Sequence, residues 1–139
     1  MKNPEWGEGP WDHEPDGGLW TYLGYPCAIK RNPTLGHLCG YVGVPESHPW
    51  YGKDYGDLEV SIHGGLTYGR GCDEYLPTPN GFDGPTWWFG FDCGHYTDVT
   101  PSQMVRRALG SVTYGQIYRD FEYVKAQVNA LADQARTQE

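Results

Sequence analysis

Trp87-Trp88-Phe89-Gly90-Phe91-Asp92 is the stretch that decides the fold. Trp87, Phe89 and Phe91 fall on one side of an extended chain, and Trp88, Gly90 and Asp92 on the other. This period-two alternation is the signature of a strand. Aromatic side chains suit a pleated surface, and Gly90 leaves room for a bulky neighbour or a close backbone contact. Towards the C-terminus, Ile117, Phe121, Val124, Val128, Leu131 and Ala135 recur at spacings of four, three, four, three and four. That is the apolar stripe of an amphipathic helix. A strand and a helix of this kind must bury their apolar faces against other elements. The expected fold is therefore α+β: a small antiparallel sheet of short strands packed against a C-terminal amphipathic helix.

Working outward, Cys27 to Arg31 and Leu38 to Val44 alternate around Asn32-Pro33-Thr34-Leu35-Gly36, which predicts a hairpin. Leu58, Val60 and Ile62 alternate with Glu59, Ser61 and His63 and predict a half-buried strand. Gly64-Gly65 breaks it, and Leu66-Thr67-Tyr68 resumes pairing. Pro45 to Gly56 is too rich in helix and strand breakers for either element and predicts an ordered loop. Residues 69–85 predict a long connection. Thr100-Pro101-Ser102-Gln103 has the pattern of a capping box, with Gly110 placed to end a short helix, and Thr113-Tyr114-Gly115-Gln116 repeats it before the final helix. Residues 1–18 carry Glu5, Glu8, Asp12, Glu14 and Asp16 without periodicity. They predict an irregular acidic arm whose Trp6 and Trp11 dock on the body, leaving 19–139 as a single α+β domain.

The chain has 139 residues, enough for one core, and its 20 glycines and 11 prolines imply short elements and many turns. A net charge of −8 disfavours duplex nucleic acid as a partner. No run approaches the length of a transmembrane helix and no leader pattern is evident, so the expectation is a cytoplasmic protein with no membrane partner. Cys27, Cys39, Cys72 and Cys93 form no CxxC pair, and buried free thiols are the expected state. The helical stripe reads as a lid on the sheet, with a homo-oligomer seam as its alternative use.

Three segments hold the side chains that could carry chemistry: the loop with Glu46, His48, Lys53 and Asp54; His63-Gly64-Gly65; and Asp92-Cys93-Gly94-His95-Tyr96-Thr97-Asp98. His63, Asp92, His95 and Asp98 could ligate zinc or manganese, or cap turns and bond backbone carbonyls instead. Cys93 with His63 or His95 is a candidate nucleophile and base. Trp50, Tyr51, Tyr55, Tyr68, Trp87 and Trp88 offer stacking faces, and Lys30, Arg31, Lys53 and Arg70 offer donors for an anion. His48, Lys53, Asp54, His63, Tyr68, Trp88, Asp92 and His95 are the candidate ligand-binding set.

The strings Gly36-His37-Leu38-Cys39-Gly40-Tyr41-Val42-Gly43-Val44, His48-Pro49-Trp50-Tyr51-Gly52-Lys53-Asp54-Tyr55, Ile62-His63-Gly64-Gly65-Leu66-Thr67-Tyr68 and Trp87-Trp88-Phe89-Gly90-Phe91-Asp92-Cys93-Gly94-His95 resemble a family of small, mostly uncharacterised tailed-phage and prophage proteins. The resemblance runs from about Cys27 to the C-terminus and takes in the helix around Tyr118-Arg119-Asp120 and Tyr123-Val124. It implies an accessory protein acting in the host cytoplasm, without an activity to assign to named residues. Such proteins often counter host defence, for instance by sequestering a nucleotide signal. The expectation is a non-enzymatic binder of a small, cyclic-nucleotide-like ligand, without a cofactor. The alternatives are a metal-dependent hydrolase and a protein inhibitor of a host enzyme.

Overall fold

Leu23 and Gly24 both have positive φ, 54° and 84°, the tight turn that matches the twist of a two-stranded ribbon. They fold strand β1 (Gly17–Tyr22) back on β2 (Tyr25–Arg31), with Tyr22 opposite Tyr25. In this computed structural model the described residues are 2–95, 97–102 and 117–139. At the next turn, Asn32 Oδ1 accepts the N–H groups of Thr34 and Leu35, and β3 (Leu38–Pro45) returns antiparallel to β2. The predicted hairpin is thus formed.

The chain then crosses one face of the sheet before β4 (Tyr68–Gly71) and β5 (Thr86–Asp92) complete it. β5 inserts between β3 and β4, giving a five-stranded antiparallel sheet of order β1-β2-β3-β5-β4. Two further strands, β6 (Asp98–Val99) and β7 (Ile117–Tyr118), pair in parallel. Helix α1 (Phe121–Thr137) ends the fold. The fold is α+β, as the alternation and the stripe predict.

Cross-strand partners share a face, so the register sorts the core. Cys27, Ile29, Val42, Phe89 and Phe91 lie beneath α1 and pack against Val124, Val128, Leu131, Ala132 and Ala135. The helix seats at Gly40, where an added Cβ would lie 2.5 Å from Val128 and 2.7 Å from Phe91. The apolar stripe is therefore covered by the protein's own sheet. On the opposite face, Ala28, Tyr41 and Trp88 form a second buried layer with Leu76, from the segment after β4. The four thiols are free, and Cys27 and Cys39 project to opposite faces of the β2–β3 pair.

Several boundaries differ from the sequence reading. Residues 58–62 are not a strand. Leu58, Val60 and Ile62 do pack on the core, but Ser61 and His63 give their N–H groups to Gln134 and Gln127 of the helix. Side chains of α1 satisfy this backbone in place of a neighbouring strand. Ile117 belongs to β7 and is exposed; the helix starts at Phe121, capped by Asp120 Oδ1 accepting from Tyr123 N–H at 2.8 Å. The strand before the long connection extends to Gly71, and β1 begins inside the stretch read as an arm. The expected short helix ending at Gly110 and the Thr113–Gln116 cap lie largely outside the described residues.

Residues 2–18 are bound to the body. Trp6 and Trp11 are buried, and Trp6 Nε1 donates to Thr34 O at 3.1 Å. Glu14 takes Arg31 Nη2 at 2.9 Å, the N–H of Phe121 at 3.0 Å and the hydroxyl of Tyr118.

Candidate functional site

The structure distributes the candidate residues over three places. His63, Asp92, His95 and Asp98 come together beside the N-terminal end of α1. Asp98 is fully buried. His63 Nε2 lies 2.9 Å from both of its oxygens, Arg119 Nε lies 3.0 Å from Oδ1, and the N–H of His95 donates to Oδ2 at 3.1 Å. Burial alone would raise its pKa, but the hydrogen bonds from His63 and Arg119 and the His95 N–H hold it below the usual carboxylate value. On the far side of the His63 ring, Nδ1 lies 2.7 Å from the Tyr123 hydroxyl. Tyr123 sits in the first turn of α1, held there by the Asp120 cap.

His95 packs against this array, its ring centroid 6.1 Å from that of His63. Asp92 Oδ1 is 3.6 Å from its Nε2, within ion-pair range but beyond hydrogen-bond reach, and that nitrogen has no hydrogen-bond partner. Gly64, at φ 68°, permits the approach: a Cβ there would fall 2.3 Å from the His95 ring. His37 lies next to Gly94, its Nδ1 unpartnered and its pKa lowered by burial. Both ring nitrogens of His63 are engaged, and among the described residues no three His, Cys, Asp or Glu side chains converge on a point where a metal ion could sit. Cys93 is buried nearby, which pushes its thiol pKa upward and leaves it a poor nucleophile.

His48 is elsewhere, within the core under the C-terminal end of α1. Its Nδ1 accepts from Trp50 N–H at 3.0 Å, so Nε2 carries the proton and donates to Ala135 O at 2.7 Å. Lys53 and Asp54 are exposed in the same loop, and Lys53 O accepts from Trp87 Nε1 at 3.1 Å. Arg31 is engaged by Glu14, Asp16 and Tyr118, while Arg70 is exposed and paired with Asp73.

Tyr68 and Trp88 occupy the third place, the sheet face opposite the helix. There a cavity of about 500 Å³ opens between β1, β2 and residues 75–79. Trp88 and Ala28 line its floor, Leu19 and Pro79 its sides, and Lys30 and Tyr75 its rim. Lys30 Nζ stands 4.1 Å from the Tyr75 ring centroid and donates to Tyr75 O. Tyr75 is tethered in turn by Tyr41, hydroxyl to hydroxyl at 2.9 Å. Trp88 Nε1 and the Tyr68 hydroxyl are buried without hydrogen-bond partners. The eight candidate residues therefore do not share one cavity. Leu19, Leu76, Pro77 and Pro79, which shape the cavity found here, are unremarkable in the sequence. Only the alternation that puts Trp88 opposite Phe89 signals this face.

Compared with models of protein families, with curated proteins and with solved structures, the chain matches none. Among the described residues no helix is long and apolar enough to cross a membrane.

Proposed function

We propose that the protein binds a small planar ligand of mononucleotide size in the cavity floored by Trp88. The observation that supports this reading is the open cavity of about 500 Å³, whose lining joins an exposed tyrosine, Tyr75, and a cation, Lys30, to an apolar bed that includes Trp88. The volume falls in the usual range for small-molecule sites, and the lining is mostly apolar, as such sites are. The exposed ring of Tyr75 favours a flat heterocycle. Lys30 is the one cation among the lining residues, which suits a single anionic group better than several, in line with the acidic surface.

The finer proposal is that the chain acts as a sponge, a phage accessory protein that withdraws a nucleotide signal from the host. Stable sequestration needs stacking and burial but no reacting group at the site, and the cavity lining contains no acid–base pair.

The test is titration of the purified chain with AMP, GMP, 3′,5′-cyclic AMP and a cyclic dinucleotide, read by tryptophan fluorescence and calorimetry. A mononucleotide should bind with micromolar affinity. Lys30→Ala, which removes the one cation of the lining, should weaken binding about tenfold or more, the worth of one charge-assisted hydrogen bond. If no mononucleotide binds and heating the native protein releases no small molecule, the reading fails.

A further inference from the structure

The array around His63 has a chemistry that ligand binding on the opposite face does not use. Asp98 is an acceptor for three groups, and an ionised carboxylate has no proton to offer. The hydrogen shared with it at 2.9 Å must therefore sit on His63 Nε2. In the neutral ring this fixes the tautomer and leaves a lone pair on Nδ1, to which the Tyr123 hydroxyl, 2.7 Å away, donates. The order is hydroxyl, imidazole, buried carboxylate. In such a chain the carboxylate orients the ring and stabilises the imidazolium that forms when the hydroxyl gives up its proton.

We propose that Tyr123 is a nucleophile activated by His63 and Asp98, and that it accepts an acyl group from an activated carboxylic ester. As the Tyr123 oxygen bonds to the acyl carbon, its proton passes to His63 Nδ1. The ester's C–O bond breaks and the leaving alkoxide or phenolate takes that proton, or departs as the anion while the imidazolium returns it to water. In a second step water attacks the tyrosyl ester, again giving its proton to Nδ1, and the released Tyr123 oxygen recovers one. The Arg119 guanidinium lies 4.9 Å from the Tyr123 ring centroid and favours the negative charge that develops on oxygen. Burial raises the pKa of Tyr123, so the hydroxyl depends on the base beside it. The inference is independent of the Trp88 cavity.

A purely structural role for the array predicts no special reactivity, and that separates the two. The intact chain would be treated with p-nitrophenyl acetate, nitrophenolate release followed by absorbance, and the acetylated residue located by peptide mass spectrometry. Tyr123 should be acetylated well ahead of the rest of the chain's 11 tyrosines, with His63→Gln slowing it about a hundredfold, a typical general-base contribution. Should His63→Gln fail to fold, the pH profile of the unaltered chain decides. Base assistance gives a rate that levels off well below the titration of a free phenol, whereas an unassisted phenol keeps gaining towards about 10. Acetylation of Tyr123 at the rate of the other tyrosines, or a profile still rising through pH 9, overturns the proposal.

Discussion

His63 meets Asp98 through a single nitrogen, Nε2, which is 2.9 Å from each carboxylate oxygen. The carboxylate is fully buried, and Arg119 approaches it from outside at 3.0 Å with only a fifth of its own side chain exposed. The contact joins the segment after residue 62 to the first residue of β6, and Tyr123 extends it to the helix.

Asp98 should accordingly govern acid stability. Its folded-state pKa lies below the unfolded value of about 3.9, so the carboxylate contributes stability that is present above that value. The contribution is lost as pH falls through the lower, folded value. Asp98→Asn should cost about 2–4 kcal/mol at pH 7, because Arg119 and His63 lose their charged partner in a largely buried setting. Urea melts of the two proteins at pH 7 and pH 3 measure this: the gap should narrow at the acid end. A gap independent of pH would show that Asp98 acts by shape alone.

Arg31 should hold the N-terminal segment. Its guanidinium meets Glu14, Asp16, the Tyr118 hydroxyl and the carbonyl of Gly36. Arg31→Ala leaves Glu14 buried without its cation, a loss of about 3 kcal/mol for a pair this enclosed. Trp6 and Trp11 would be released with it, so tryptophan emission should shift to the red and residues 2–16 should lose hydrogen-exchange protection before β3 does. Unchanged emission would mean that the tryptophans anchor the segment without help.

The sheet–helix architecture was legible because Trp87 to Asp92 and Val124 to Ala135 obey clean periods of two and of about 3.6. The Leu58 stretch obeys a period of two as well, yet pairs with Gln127 and Gln134 of the helix. Local pattern tells which side of an extended chain is buried, not what satisfies its backbone. For the site, the sequence supplied His63, Asp92, His95 and Asp98 as neighbours, and they meet. It could not supply Tyr123 and Arg119, whose spacing marks only a helix entry, nor could it show that His48 is consumed by Ala135 and Trp50. Trp88 was legible as a strand residue. Its separation from His63 by the thickness of the sheet became evident only from the strand register.

His48 should matter for stability and not for ligand affinity. Its two hydrogen bonds tie the loop after β3 to the last turns of α1, at 2.7 Å to Ala135 O and 3.0 Å from Trp50 N. His48→Ala opens a gap beneath Tyr25 and Trp50, whose rings stand edge-on to it. It also leaves a buried N–H and carbonyl without partners, for a loss of about 2–4 kcal/mol. Chemical melts would report the loss, and titration of a mononucleotide below the melting range should give the affinity of the unaltered chain. A large affinity loss in a folded His48 variant would return this residue to the binding set.

Gly40 and Gly52 give a paired prediction on packing against backbone strain. Gly52 has φ 80° with nothing within 4 Å of an added Cβ, so Gly52→Ala meets only the cost of a left-handed backbone, about 1–2 kcal/mol. At Gly40 the new methyl would stand 2.5 Å from Val128 and 2.7 Å from Phe91, which are the helix and the strand that must close on each other there. Neither neighbour can retreat: Val128 and Phe91 are both buried, and the helix is tied along its length to residues 61 and 63. Overpacking of this kind costs about 1–3 kcal/mol or more when the backbone has to move. It also loosens the contact between layers. Thermal melts should therefore rank Gly40→Ala below Gly52→Ala. Hydrogen exchange should show protection lost in α1 and β3 for the first variant and confined to the loop for the second. Equal melts with no change in α1 would mean that the helix does not rest on Gly40.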